Sequence, residues 1–314
     1  MRRLFACFMV VLSLGVYSAA AENTASDLIA NASLTSTSAP NITIRKDVRE
    51  VRVTFHASDR HNRPVMDLRP DSLTILDNGV PVSGVSAMHT TSDLPLSVAL
   101  MVDASDSVAR DFAAEQRASS TLIHGLMRSS DDRLMVVAFR HRVEMTHEMS
   151  ADAQELAATM AQIKVGGLTA LYDALVATSD RLAQSDSSAS RRAIILISDG
   201  DDTDSHYILN DALAAAVRND VAIYPVTVRT KHSTADGEKV LKQLADASGG
   251  RAYVVRGAGE LSRAMQEIQC ELRNQYFVTY RPPVSASGFH TVTVSSAEKD
   301  ISIRARSGYF ASNR

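Results

Sequence analysis

Four runs of almost uninterrupted apolar residues, separated by stretches of helical periodicity, constrain the fold of this chain more than any other feature. The runs lie at residues 97–102, 133–139, 193–197 and 221–226. Strands that are apolar on both faces belong in a parallel sheet covered by helices. Helical patterns alternate with these runs, at 108–127, 153–163, 171–183, 208–217 and 239–244. The alternation predicts an α/β fold over residues 94–275, with a doubly wound, mostly parallel sheet.

Both flanks of this predicted domain show β-like patterns. Within residues 43–92, Val51, Val53 and Phe55 alternate with polar residues, and the Asn78-Gly79 pair between two apolar runs predicts a hairpin. Residues 276–311 contain three more alternating segments. Three isolated strands are marginally stable, so we expect residues 276–311 to pair with residues 43–92. The pairing would give a small β-sandwich-like domain in which the α/β domain is an insertion.

The N-terminus has the pattern of a secretory signal peptide. Arg2 and Arg3 precede an apolar stretch at 4–16, and small residues at 19–21 supply a cleavage site before Glu22. The apolar stretch is short for a bilayer span, although an uncleaved anchor is the alternative. We therefore predict a signal peptide at 1–21, a flexible leader at 22–42, and an exported protein, periplasmic or secreted. No transmembrane segment is expected in the mature chain.

Composition and motifs exclude several classes of function. The net charge is -3 and the charges are interspersed, so nucleic acid is not an expected partner. The chain lacks G-x-S-x-G, the phosphate-binding G-x-x-x-x-G-K and H-E-x-x-H motifs, and no enzymatic activity is predicted. Its nine histidines have no metal-ligand spacing. Cys270, in a predicted helix at 261–275, is expected to be a small buried residue.

Three segments bring oxygen-bearing side chains to the carboxyl edge of the predicted sheet, where α/β proteins bind ligands. The candidate metal ligands are Asp103, Ser105 and Ser107 after the first apolar run, Thr169 in a glycine-containing loop, and Asp199 after the third run. Hydroxyl and carboxylate oxygens favour Mg²⁺ or Mn²⁺ over zinc. Because few of these ligands are charged, the ion would keep positive charge and an exchangeable water that a partner's carboxylate could replace.

A simpler interpretation is that Asp103 and Asp199 only cap the helices that follow them. Capping explains each residue singly but not the convergence of five. Further along the third loop, Asp201, Asp202 and Asp204 are interpreted as a solvated acidic rim. His206 is expected to face solvent or to cap a helix.

The pattern Asp103-x-Ser105-x-Ser107, Thr169 and Asp199-Gly200 resembles the metal-ion-dependent adhesion site of von Willebrand factor A domains. The resemblance covers residues 94–262 and implies a Rossmann-like sheet. It also implies that Ser105, Ser107 and Thr169 contact the metal, with Asp103 and Asp199 acting directly or through water. The flanking segments resemble a group of related proteins typical of acidobacteria. The segments that carry this resemblance are residues 63–68, 76–79, 271–276 and 304–310.

The function implied by this resemblance is metal-dependent binding of a protein partner that presents a carboxylate. Two alternatives belong to other classes. A structural envelope protein could use the metal only to stabilise its loops, and a metal-dependent hydrolase would need a positioned base such as Asp201 or His206.

Overall fold

The computed structural model describes residues 50–110, 112–184, 190–229, 233–283 and 287–311. The predicted signal peptide and leader lie outside the described residues. The strands are β1 (Val51–Ser58), β2 (Leu73–Asp77), β3 (Val80–Pro81), β4 (Val85–Thr90), β5 (Leu96–Asp103), β6 (Arg133–Phe139), β7 (Val143–Ser150), β8 (Arg191–Ile197), β9 (Val221–Val228), β10 (Tyr253–Val255), β11 (Tyr276–Tyr280), β12 (Gly288–Ser296), β13 (Ser302–Ala305) and β14 (Gly308–Ala311). The helices are α1 (Phe112–Leu126), α2 (Ala153–Gln162), α3 (Leu171–Gln184), α4 (Leu209–Arg218), α5 (Ala235–Ser248) and α6 (Ala258–Arg273).

A six-stranded sheet in the order β10-β9-β8-β5-β6-β7 forms the centre of the α/β part. All neighbours are parallel except β7, which runs antiparallel to β6. All eight residues of β5 are buried, as expected for a strand covered on both faces. Helices α1, α2 and α6 pack on one face, and α3, α4 and α5 on the other. The predicted α/β class with a doubly wound, mostly parallel sheet is confirmed.

Two strands of this sheet were not predicted from the pattern of apolar residues. Edge strand β7 has no continuous apolar run, because most of its residues are partly or fully exposed. Strand β10 has only three residues, too few to show a period. Both lie at the edges of the sheet, where one neighbour is missing and the selection for apolar residues is weaker.

The two ends of the chain form two antiparallel four-stranded sheets, in the orders β13-β1-β11-β4 and β14-β12-β2-β3. N-terminal β1 pairs with C-terminal β11 and β13, and N-terminal β2 pairs with C-terminal β12. The two sheets share one apolar core that includes Phe55, Ile75, Val278 and Val294. The additional antiparallel sheets expected from the flanking patterns are thus present. The exact domain boundaries given above remain predictions.

The hairpin predicted at Asn78-Gly79 joins β2 to β3. Asn78 has a φ of 50° and Gly79 a φ of 77°. Two consecutive residues with positive φ match the right-handed twist of the paired strands, which explains the preference for Asn-Gly here. The turn pairs Asp77 with Val80 and fixes the register of β2.

A buried carboxylate joins the two sheets of the sandwich. Asp77 is 2% exposed, and its Oδ2 accepts hydrogen bonds from the hydroxyls of Tyr280 (3.0 Å) and Tyr309 (2.9 Å). Its Oδ1 lies 2.8 Å from Nδ1 of His290. Burial raises the pKa of both tyrosines, so both hydroxyls stay protonated and can donate. Three hydrogen-bonded partners satisfy a carboxylate that would otherwise be costly to bury.

The prediction that Cys270 is buried is wrong, because its side chain is exposed. Helix α6 buries a stripe that includes Leu261, Met265, Ile268 and Leu272. Cys270 lies two residues after Ile268, about 200° around a helix of 3.6 residues per turn, and therefore on the opposite face. A search of the described residues for a helix that is long and apolar enough to cross a membrane finds none.

Candidate metal centre

The five predicted metal-site residues lie on three loops at the carboxyl end of the central sheet. Asp103 is the last residue of β5. Ser105 lies directly before the 3-10 turn Asp106–Val108 that follows, and Ser107 lies within this turn. Thr169 lies two residues before α3, and Asp199 two residues after β8. Because β5 and β8 are parallel neighbours, both deliver their following loops to the same edge.

Backbone hydrogen bonds tie the three loops together. Gly166 N donates to Ala104 O at 2.7 Å, which joins the loop containing Thr169 to the loop after β5. Thr203 N donates to Thr169 O at 2.9 Å, which joins it to the loop after β8. The positions of the side chains are therefore set by main-chain contacts between loops that are distant in the sequence.

Asp103 is the most deeply buried group of the site, at 0% exposure. Its Oδ1 accepts from Ser105 N at 2.9 Å, and its Oδ2 accepts from Ser198 Oγ at 2.9 Å. Burial raises the pKa of Asp103 to about 6, opposed by the hydrogen bonds from Ser105 and Ser198 and reinforced by the charge of Asp199. Two carboxylates thus share a poorly solvated edge, an arrangement that a cation would stabilise.

Two hydroxyl groups lie close together next to this carboxylate pair. Ser105 Oγ and Ser107 Oγ lie 3.1 Å apart, and Ser107 is exposed whereas Ser105 is 2% exposed. Ser107 and Asp199 line a small cleft with Thr227, whose Oγ1 is buried and has no hydrogen-bond partner among the described residues. Neutral hydroxyls and carboxylates around a cleft with an unpaired oxygen fit a hard divalent cation.

Neither aspartate serves as the cap of the helix that follows it. The bonds of Asp103 go to Ser105 and Ser198, and α1 begins only at Phe112. Asp199 Oδ1 accepts from Asp201 N at 3.2 Å, and α4 begins at Leu209. The capping interpretation therefore fails for both residues on geometry.

The interpretation of the acidic loop as a solvated rim is wrong for Asp202. Its Oδ1 accepts from Leu171 N at 2.8 Å and from Ser205 Oγ at 2.6 Å, so it satisfies the first amide of α3 from a distant loop. Sequence reasoning missed this contact because cap signals are read from residues adjacent to the helix. Asp204 is exposed and does belong to the rim. Asp201, which is half-buried, accepts from Thr234 Oγ1 at 2.6 Å.

His206 faces solvent, as predicted. Its Nδ1 lies 3.0 Å from Asp173 Oδ2, and this hydrogen bond raises the pKa of the imidazole. The side chain is 93% exposed and is held by Asp173 on α3, so its described contacts give it no part in the metal centre.

Close backbone contact with α5 fixes the loop that carries Asp199. Gly200 has a φ of +87°, and a Cβ at this position would lie 2.4 Å from Gly237 O in the first turn of α5. A side chain at Gly200 would therefore need both an unfavourable backbone conformation and a displaced helix. The Asp199-Gly200 pair was recognisable in the sequence as part of the motif. Its close contact with Gly237 could not be predicted from the sequence.

Glu115 is a further acidic residue that sequence reasoning did not select. It lies on α1, is 3% exposed, and lines the cleft shared by Ser107 and Asp199. It occupies the apolar face of the helix, three residues from Phe112 and from Ala118. The sequence feature that could have identified Glu115 is a charged residue at a core-facing position of a helix.

Comparison with known families supports the assignment of the fold. A family model described as von Willebrand factor type A domain matches residues 98–201, which include all five candidate residues. The chain is similar to the structure of a von Willebrand factor type A protein from Catenulispora acidiphila, with 13% identity, a TM-score of 0.50, and coverage of 86% of this chain and 76% of that one. Comparison with curated proteins gives no match.

A second similar structure is proximal thread matrix protein 1 from the mussel byssus, with a zinc-occupied MIDAS motif. It has 15% identity, a TM-score of 0.50, and coverage of 62% of this chain and 49% of that one. This chain thus spans about half the length of the mussel protein. The family model thus matches about a third of the chain, and the similar structures share its fold.

Clusters of three or more His, Cys, Asp or Glu residues that could hold a metal do not occur within the ranges that the structure describes. The candidate donor set combines two carboxylates with three hydroxyl oxygens, and this chemistry is consistent with a hard divalent cation.

Proposed function

We propose that this chain is a divalent-cation-dependent binding module whose partner is a protein that presents a carboxylate. Asp103, Ser105, Ser107, Thr169 and Asp199 would hold Mg²⁺ or Mn²⁺. The observation that carries the proposal is the convergence of these residues on three hydrogen-bonded loops, with neither aspartate used as a helix cap.

The division of charge explains why such a site would bind an acidic ligand. Ser105, Ser107 and Thr169 are neutral donors, so the two carboxylates at most balance the charge of a divalent ion. A bound cation would supply positive charge towards the exposed side of the site. Ser107 lies on this exposed side, whereas Asp103 is inaccessible beneath it. A carboxylate from outside can thus complete the coordination.

Exposed apolar side chains on the loops that carry the site support a protein partner. Leu168 is 54% exposed and directly precedes Thr169, and Tyr207 and Ile208 are 48% and 61% exposed at the end of the loop after β8. Large apolar side chains around a polar centre are typical of protein-binding surfaces. These residues would supply the contact area that a single metal–carboxylate bond lacks.

The choice of metal is a separate part of the proposal. Hard oxygen donors favour Mg²⁺ or Mn²⁺, whereas the similar mussel protein has zinc at its motif. Titration with all three ions measures their relative affinities, and we expect Mn²⁺ to bind more tightly than Mg²⁺.

We further propose that the protein is exported, to the periplasm or beyond, and that it is not an enzyme. The signal-peptide pattern of residues 1–21 supports export. A binding role is supported by the site's exposed rim and by the positions of the two groups nominated as bases. Asp201 is engaged by Thr234, and His206 by Asp173.

Calorimetric titration of Mg²⁺ and Mn²⁺ into the folded protein tests the metal site. We expect saturable one-site binding that the double variant Asp103→Ala, Asp199→Ala loses. Asp246→Ala is the matched control, because this aspartate pairs with Lys242 on the exposed surface of α5. Absence of binding by the folded wild type, with and without added acetate as a carboxylate mimic, would overturn the proposal.

Three readouts separate the binding module from its alternatives. A binding module captures a protein partner in Mg²⁺ but not after chelation, and the double variant captures none. A structural protein shows a higher melting temperature with the ion but no metal-dependent capture. A hydrolase shows multiple turnovers of ester or phosphoester substrates, which the same double variant abolishes.

A further inference from the structure

A basic cavity lies at the opposite end of the central sheet from the metal centre. It has a volume of about 30 Å³ and lies between the first residues of β8 and β9 and the β-sandwich. Its charged lining consists of four arginines, Arg52, Arg191, Arg192 and Arg306, with Asp220 as the carboxylate among the described lining residues. These arginines come from both ends of the chain and from its middle.

Arg191 is the most deeply buried of the four. Its side chain donates through Nη2 to Gln275 Oε1, and the residue is 6% exposed. Its Nε and Nη1 are buried and have no acceptor among the described residues. Burial lowers the pKa of Arg191 to about 10, with Tyr224 and Glu271 raising it and Arg273 and Arg52 lowering it. An arginine stays charged in a protein, so its two unpaired N–H groups favour a negatively charged acceptor.

Each of the other three guanidinium groups also has one buried donor. This donor is the Nε atom of Arg52, Arg192 and Arg306, and it has no acceptor within the described part of the chain. Arg306 uses its two terminal nitrogens on Asp220 Oδ1 and on Arg52 O, both at 2.7 Å. Among the described lining residues, one carboxylate therefore accompanies four cations, and it is already engaged by Arg306.

The size of the cavity limits what could supply the missing charge. A single water needs about 10–15 Å³, so the cavity accommodates a group of only a few atoms. Asp220, 43% exposed at its side chain, shows that the cavity opens to solvent. Nucleotides and peptide segments are too large to enter, whereas an inorganic oxyanion suits both the volume and the charge.

We propose that this cavity binds a small inorganic oxyanion, phosphate or sulfate, between the sheet and the β-sandwich. Guanidinium groups present planar pairs of N–H donors that match the oxygens of such ions. The anion would bridge Arg191 and Arg192 on β8 to Arg52 on β1 and Arg306 after β13. It would thereby link the amino end of the sheet to both termini of the folded region.

Calorimetric titration of sodium phosphate and sodium sulfate into the full chain, in metal-free buffer of low ionic strength, tests this proposal. We expect one site per chain, weakened about 10- to 100-fold by Arg191→Gln or Arg192→Gln, because a charge-assisted hydrogen bond contributes that much. Arg192 is half-buried, so its variant stays informative if Arg191→Gln unfolds. Arg117→Gln, on the exposed face of α1, is the matched control and should bind like the wild type.

A substitution that is expected to strengthen phosphate binding provides a second test. Asp220→Asn removes the competing carboxylate and should tighten phosphate binding several-fold. Asn tolerates the positive φ of 54° found at this position, so the backbone should not change. Glycerol phosphate should bind more weakly than inorganic phosphate, because its organic part exceeds the cavity. Equal affinity for phosphate in wild type, Arg192→Gln and Asp220→Asn, or no saturable binding, would overturn the proposal.

Discussion

The two ends of the central sheet bury charges of opposite sign. At the carboxyl end, Asp103 is buried beside Ser105 and Ser198, and Asp199 lines a cleft with the buried Glu115. At the amino end, four arginines face Asp220. Both ends concentrate like charges in places that water reaches poorly, at a cost in stability unless opposite charge is supplied.

The difference between the ends lies in how each group of charges is assembled. The two aspartates of the acidic end lie at or just after the ends of β5 and β8, so their positions follow from the α/β topology. The basic end needs Arg52 and Arg306 from the β-sandwich to reach Arg191 at the start of β8. The acidic end is therefore a property of the α/β domain. The basic end depends on how the flanking sheets dock onto that domain.

The largest effect is expected from breaking the backbone contact that holds the acidic end. Gly200→Ala combines positive-φ strain with a clash against Gly237 O, and should lower the free energy of unfolding by about 2–5 kcal/mol. It should also abolish Mg²⁺ binding without touching a ligand. Gly79→Ala is the control, since Gly79 also has positive φ but open space around it, and should cost about 1 kcal/mol. Chemical denaturation measures both, and equal losses would contradict the argument.

The next effect tests whether the two ends act independently. Saturation with Mg²⁺ or with phosphate, each at about 100 times its dissociation constant, should raise the free energy of unfolding by about 2.7 kcal/mol. The ends are separated by β8, whose seven residues span about 23 Å, so the two increments should add within about 0.5 kcal/mol. Denaturation with each ion alone and with both measures this, and strong non-additivity would show that the ends are coupled.

A smaller effect is expected from the support of Asp103. Ser198→Ala removes the hydroxyl that donates to Asp103 Oδ2 but leaves all five proposed ligands in place. Loss of such a supporting hydrogen bond typically weakens metal affinity about 10- to 100-fold. Calorimetry on Ser198→Ala and on the control Ser295→Ala, whose hydroxyl is in the exposed part of β12, makes the comparison. Unchanged Mg²⁺ affinity would show that Asp103 is positioned by Ser105 alone.

The smallest effect concerns the junction between the basic end and the sandwich. His56 is 4% exposed and its Nδ1 lies 3.2 Å from Asn274 O, and burial lowers the pKa of its imidazole below 6.5. The folded state therefore favours the neutral form. The stability that His56 contributes is complete above pH 6.5 and is lost as the pH falls towards the folded pKa. His56→Gln should flatten this acid-side decline in unfolding experiments, and an unchanged slope would refute the assignment.

Much of the fold and of the candidate site could be predicted because both depend on local patterns. The apolar runs of β5, β6, β8 and β9 are visible in the sequence, and parallel strands place their following loops at one edge. The five candidate residues needed no distant contact to be selected. Strands β7 and β10 were missed because edge strands carry a weak or very short pattern.

The contacts that support the site could not be predicted in the same way. Ser198 bonds to Asp103 across 95 positions of the chain, and Asp202 caps α3 across 31. Glu115 gave a signal only as a charge on an apolar helical face. The exposure of Cys270 depended on which face of α6 packs against the sheet.

The sequence by itself determined the α/β class, the hairpin at Asn78-Gly79 and the edge at which the acidic loops meet. These follow from hydrophobic period and chain chirality, which act over short stretches. Only the tertiary structure decided the buried Asp77 network and the arginine cavity. Their members lie up to 254 positions apart, as in the bond from Arg306 to Arg52 O. Only the docked sheets bring them together, because no local pattern encodes contact between the two ends of a chain.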